Sequence, residues 1–380
     1  MKIVLCDNGL HLRFAPLTLT RPLGTIRMGI LTNEERVRIA FPDAEVYYQT
    51  EKYLTKKFPE TSHGDLFLNA AVIFNDELLA ICEVLEDGQE LITDEDWIAR
   101  KGETIKEQIK YFGETLIIHY RWEIFQRNGE AIINDYKWLT TNRTSNPISS
   151  TNTIIGDKNL LFIEEGVSIE ASILNTNSGP IYLGKNSEVM EGSVIRGPFA
   201  LGDDACVKLA TKIYGPTTIG PHCRVGGEVN NVVFQSYSNK GHDGFLGNSI
   251  LGEWCNLGAD TNSSNLKNNY SNVATYSYES KAIDKTEIQF MGVVMGDHSK
   301  TGINTMLNTA TTVGVCANIF GAEFPKKFIP SFSWGGGNSF EIFDKDKAVE
   351  VAKAMMERRH IEFTEGDQAI FDYLFTTKEV

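Results

Sequence analysis

Every sixth residue from Leu183 is aliphatic through eight positions: Leu183, Val189, Ile195, Leu201, Val207, Ile213, Ile219 and Val225. A period of six fits neither the alternation of a lone half-buried strand nor the 3.6-residue period of a helix. It marks an array whose unit is one short strand and one turn. Glycine follows directly at Leu183-Gly184, Leu201-Gly202, Ile219-Gly220 and Val225-Gly226, where the chain has to turn a corner. The register returns at Leu251-Gly252 and Leu257-Gly258, then at Met295, Thr301, Leu307, Val313 and Ile319, with Ile163 and Ile169 as its opening members. Three such units close a triangular coil that buries nothing alone, whereas stacked coils share a continuous aliphatic column. The pattern predicts a left-handed parallel β-helix of hexapeptide repeats over residues 151–335.

Two stretches break the period, residues 226–250 and 259–294, and long breaks in a rigid array are where function is expected. Residues 1–150 have another texture. Apolar runs at Ile3–Cys6, Ala44–Tyr48 and Asp65–Ile73 alternate with charged stretches of helical spacing, which predicts an α/β domain. After Phe324-Pro325 and Ile329-Pro330 the repeat ends, and residues 336–380 read as a helical extension, with Val349, Ala352 and Met356 on one face of a helix over Asp344–Arg359.

A formal charge of −14, from 50 acidic and 36 basic residues, excludes a nucleic-acid partner, which needs a basic footprint. An anionic small molecule would have to meet locally gathered cations. Six cysteines without a CxxC pair predict reduced, buried thiols, and no zinc-type spacing appears, so no metal site is expected in the array. No apolar run approaches a membrane span, which leaves the cytoplasm as the expected address.

The segment Ser238-Asn239-Lys240-Gly241-His242-Asp243-Gly244 carries the most chemistry. Imidazole titrates near neutrality and can take a proton from an amine, and His242 lies in a glycine-flanked break of a rigid scaffold. Lys240, Lys212 and Arg224 are the cations nearest in sequence or in register. His222 and His298 sit inside turn sequences and read as structural.

The run from His242 to Ala259, HDGFLGNSILGEWCNLGA, resembles the His-x-x-Tyr-Leu-Gly-Asp and Asn-Ile-Gly-Ala-Gly block of the bifunctional UDP-N-acetylglucosamine pyrophosphorylase/glucosamine-1-phosphate N-acetyltransferase family. Phe14–Pro22, Trp122–Glu130 and Gly292–Gly321 extend the resemblance, to a variant with a short, divergent N-terminal domain. The resemblance implies His242 as general base, Asn256 and Asn265 as sugar-binding asparagines, and Lys212 where the family has a phosphate-binding arginine. Phe245 stands where the family has a substrate tyrosine and Asn230 where it has a lysine; Lys240 is a further candidate for the phosphate. It also implies acetyl-CoA as donor, with Asn304, Asn308 and Asn318 on the cofactor side, an amino-sugar phosphate (foremost glucosamine 1-phosphate) as acceptor, and a homotrimer.

In the N-terminal domain the family's glycine-rich phosphate loop is reduced to Asp7-Asn8-Gly9. Arg21 and Arg27 are the candidates there for a nucleotide phosphate, with UTP and Mg²⁺ as the companions that uridylyl transfer would require. Two rival readings follow: a sugar-phosphate nucleotidyltransferase whose β-helix only trimerises it, and a scaffold without catalysis.

Overall fold

The computed structural model describes residues 1–337 and 339–377. Residues 153–336 wind into a left-handed parallel β-helix, and its strand pairing explains the period read from the sequence. Three inward columns run its length. One passes through Ile163, Leu183, Leu201, Ile219, Phe234, Leu251, Met295, Val313 and Ile329. A second passes through Leu174, Ile195, Ile213, Val229, Leu246, Ser263 and Leu307. The third passes through Ile169, Val189, Val207, Val225, Lys240, Leu257, Thr301 and Ile319. Polar residues enter these columns at Lys240, Ser263 and Thr301, all in the rungs around His242.

The first break in the period is a change of pitch. Successive inward valines Val189, Val207 and Val225 are eighteen residues apart, but Val225 and Lys240 pair across only fifteen. The rung is shorter because Glu228–Phe234 is one seven-residue strand that pairs with both Lys212–Tyr214 and Thr217–Ile219, running through a corner where other coils turn.

The second break is an arm. Its antiparallel hairpin, Ala274–Ser277 with Ala282–Lys285, leaves the helix and packs against the N-terminal domain. The guanidinium of Arg121, 2% exposed, joins the three parts: it donates to the carbonyls of Ala15 and Tyr276 and to the hydroxyls of Thr275 and Thr312. It has no carboxylate partner, and burial pushes it down to about 10. Residues 275–279 and 284–288 of this break line a hollow of about 590 Å³ against Arg13, Tyr120 and Trp122 of the N-terminal domain.

The N-terminal domain is a six-stranded mixed sheet. Lys2–Cys6 lies parallel to Glu45–Gln49 and Leu66–Asn69, and Leu66–Asn69 lies antiparallel to Trp97–Lys101. The segment after the first strand leaves this sheet for the β-helix, where Phe14, Leu17, Leu23, Ile26 and Met28 share one core with Val233, Ile250, Met291 and Val294. At the other end, the helices Lys345–Glu357 and Glu365–Thr377 pack back on the last coils. All six cysteines are free and buried. Among the described residues no helix is long and apolar enough to cross a membrane, and no group of three metal-ligating side chains converges.

Candidate functional site

On the face of the third column, the residue preceding each inward member points outward. Paired register sets Cys206, Arg224, Asn239, Asn256, Lys300 and Asn318 in one row across consecutive rungs. Arg224, Asn239, Asn256 and Lys300 from this row form the floor of a cleft of about 920 Å³. His242 and Lys208 edge it, Ala259 and Ile303 add an apolar strip, and Met355, Arg358 and Arg359 of the C-terminal helical segment close the far side. Five cations line this cleft and none of its lining residues is acidic. In a chain of net charge −14 that concentration is the local basic site an anionic ligand requires.

A stack of rings stiffens one wall. His222, Tyr237, Trp254 and His298 occupy equivalent corners of successive coils with φ of 59°, 58°, 61° and 59°, the left-handed region that side chains rarely adopt outside such turns. Their ring centroids follow one another at 4.9, 4.1 and 6.0 Å, with planes within 15° of parallel. Phe371 meets His298 edge-on at 5.3 Å, and Arg359 donates to the His222 carbonyl, so the helical extension is keyed to this corner. His298 is buried, which holds its imidazole well below the ordinary value, with the charges of Lys300, Lys57 and Arg21 acting in the same direction.

His242 sits at the mouth of the cleft, exposed, its ring without a hydrogen bond among the described residues. Its turn is fixed through the main chain: the Asp260 N–H donates to the Asp243 carbonyl at 2.9 Å, and Lys240 Nζ donates to the His242 carbonyl at 2.9 Å. Asn256 joins His242 in the cleft. Lys300 is half-buried, donates to the His298 carbonyl at 2.7 Å and is pushed below the usual lysine range by burial.

The other sequence candidates lie elsewhere. Lys240 was expected to face a phosphate, but it stands inside the third column between Val225 and Leu257, 1% exposed, with its ammonium on the Gly226 and His242 carbonyls. Lys212 and Phe245 project from the neighbouring face, with Glu228 between them in the row, and neither lines the cleft. Asn265 is tied to Asn248 at 2.7 Å. Of the expected cofactor-side asparagines, Asn318 is the rung beyond Lys300 in the outward row, while Asn304 and Asn308 are exposed on turns outside the cleft.

Arg21 and Arg27 are neutralised internally, which corrects their assignment to a nucleotide phosphate. Arg21 is clamped between Glu253, at 2.8 Å, and Asp297; Arg27 is paired with Glu35 at 2.8 Å. The pocket at the ends of the first two parallel strands, about 400 Å³, presents Asp7 and Glu51 beside Arg100, which lies over the rings of Phe67 and Trp97. Two carboxylates beside one cation that is engaged with two rings do not fit a bare triphosphate, which needs gathered positive charge.

Lys208, Lys300, Tyr237, Trp254, Arg358 and Arg359 were missed by sequence reasoning. Lys300 and Arg224 were accessible to it, since each immediately precedes a member of the inward column. Because several cations act together, the double substitution Arg358→Ala/Arg359→Ala is expected to weaken a phosphorylated ligand at least about tenfold, with a shallower salt dependence, in isothermal titrations at two ionic strengths.

Comparison with known proteins finds one family model, curated relatives and solved structures that are similar to parts of this chain. Residues 3–144 match the family described as sugar nucleotidyl transferase. The bifunctional protein GlmU of Synechococcus elongatus is 26% identical over 195 residues, covering 50% of this chain and 34% of that protein. GlmU of Trichodesmium erythraeum is 31% identical over 135 residues, covering 35% and 24%. The match thus spans about a third or less of the length of these relatives. Among solved structures, the UDP-N-acetylglucosamine acyltransferase of Campylobacter jejuni is similar at 16% identity and a TM-score of 0.31, over 60% of this chain and 95% of that one. The polySia specific acetyltransferase NeuO is similar at 14% identity and a TM-score of 0.25, over 50% and 81%.

Proposed function

We infer that this chain, a GlmU-like protein by its matched segment and its relatives, is a transferase that moves an acetyl group from acetyl-CoA to the amine of an amino-sugar phosphate, with His242 as general base. The observation that carries this reading is the juxtaposition of an exposed, unengaged imidazole with a cleft lined by five cations and no carboxylate. The five cations suit polyanionic substrates, and the apolar strip of Ala259 and Ile303 suits an extended thioester arm.

In the proposed reaction the acceptor amine attacks the thioester carbonyl, forming the C–N bond. The C–S bond breaks, the sulfur leaves as thiolate, and the His242 imidazole takes the proton that the amine sheds. Arg224 and Lys300 hold phosphate on the floor, and Asn256 orients the sugar. Arg358 and Arg359 neutralise charge at the far wall. A homotrimer, in which a neighbouring copy would cover Lys212 and Phe245 on the adjacent face, agrees with the exposure of Lys212 and the half-burial of Phe245.

The match of residues 3–144 favours a second reading, uridylyl transfer by the N-terminal domain. Against it stands the internal pairing of Arg21 and Arg27. Thiol release from acetyl-CoA, assayed with glucosamine 1-phosphate and a panel of nucleotide-linked amino sugars, separates the two. Turnover with an amino-sugar phosphate is the expected result. Pyrophosphate release from UTP and a sugar 1-phosphate, without any thiol release, would overturn the acetyltransferase reading.

A further inference from the structure

We propose that Lys240 is a positioning residue for His242: its ammonium, set inside the aliphatic column, holds the main chain of the turn that carries the imidazole. The proposal rests on the reading of His242 as base. Lys240 replaces an aliphatic in the third column, paired with Val225 on one side and adjoining Leu257 on the other. A charge in that position is costly unless it is satisfied. Lys240 makes two hydrogen bonds, both to main-chain carbonyls and both at 2.9 Å, to Gly226 in its own column's preceding rung and to His242 two residues on.

The turn needs such a tether. Gly241 and Gly244 flank His242 and Asp243; Gly244 is hemmed in by the Thr261 main chain, but a Cβ on Gly241 would meet nothing within 4 Å, so the entry to the turn is open on that side. The imidazole makes no hydrogen bond of its own among the described residues. Its aim is therefore set by the carbonyl that Lys240 grips and by the neighbouring Asp260 N–H to Asp243 bond.

Three charged groups face the ammonium: Asp243 on the same turn, Asp260 on the next rung and Lys212 on the adjacent face. Neither aspartate forms an ion pair with it, so burial dominates and pushes Lys240 down to about 8, with the two carboxylates only partly opposing and Lys212 adding to the depression. Above that pH the ammonium becomes an amine, both carbonyl contacts lose their charge assistance, and the turn loosens.

Two measurements test this. In wild-type protein, the His242 ring resonances, assigned by their loss in His242→Ala, are expected to show a second, alkaline inflection near pH 8 that follows Lys240. In Lys240→Met, which keeps the column apolar, that inflection is expected to vanish. The kcat should fall about ten- to a hundredfold with both KM values moved less than about threefold, and the alkaline fall of kcat should disappear. Absence of the second inflection in the wild type, or its survival in Lys240→Met, overturns the proposal whether or not acetyl transfer is seen. Loss of the inflection in the variant beside a wild type that releases no thiol would support the tether and sink only the catalytic reading.

Discussion

Replacing His242 by alanine is expected to lower kcat/KM for acetyl transfer by about 10²–10⁴ while leaving the melting temperature unchanged. Both halves follow from its placement. The side chain is exposed at the cleft mouth and makes no hydrogen bond among the described residues, so its removal costs the fold nothing. The same position makes it the one unengaged imidazole among the residues lining the cleft, since His222 and His298 belong to the ring stack and lie outside the lining. The measurement is thiol release with glucosamine 1-phosphate, beside a thermal scan. Retention of more than about a tenth of the wild-type rate would remove His242 from the role of base.

Arg21→Ala is expected to cost about 3–5 kcal/mol of stability at pH 7, the usual consequence of removing one partner from a buried ion pair. Arg21 lies between Glu253 and Asp297; Asp297 also receives the Thr20 hydroxyl at 2.7 Å and the Glu253 N–H at 2.8 Å. Burial alone would raise the Glu253 carboxyl, yet Arg21 overrides it and holds the group below the ordinary carboxylate range. In the wild type, Glu253 therefore contributes stability that is complete above the unfolded carboxylate value and is lost as the pH falls through the depressed one. Without Arg21 the largest influence holding Glu253 down is gone, burial then raises its affinity for protons above that of the unfolded chain, and its contribution to stability increases as the solution is acidified. Urea unfolding at pH 7 and pH 5 should show the gap between wild type and variant closing at the lower pH. A variant with wild-type stability but impaired nucleotide binding would instead restore Arg21 to a ligand.

The repeat was legible because each column member is a separate, periodic observation; Leu183 through Val225 define the register without help from the tertiary structure. Lys240 defeated the same reading. A lysine beside a candidate histidine looks like a surface cation, and the fifteen-residue rung that moves it into the column arises from a strand running through a corner, which no residue in Glu228–Phe234 announces. Arg21 misled for a related reason: its carboxylate partners Glu253 and Asp297 are more than two hundred residues away and are set by docking between parts of the chain, while Arg27 is taken up by Glu35, eight residues on. Asn256 lies in the cleft because the outward row preserves its register, and His242 edges it from the turn that follows Lys240. Arg358 and Arg359 reach it only through helices packed on the far side, a relation invisible to a period of six.

The core shared by Phe14, Leu17, Leu23 and Ile26 with Val233, Ile250, Met291 and Val294 has a consequence for synthesis. A ribosome makes the apolar segment first and its cover more than two hundred residues later, an interval of roughly 10 to 60 s at about 5–20 residues per second. Throughout that interval the nascent N-terminal domain presents an uncovered greasy flank beside a growing solenoid that can already stack rung upon rung. Translation speed and holding chaperones thus become determinants of yield, and a fragment ending near residue 150 should be recovered mainly from the insoluble fraction.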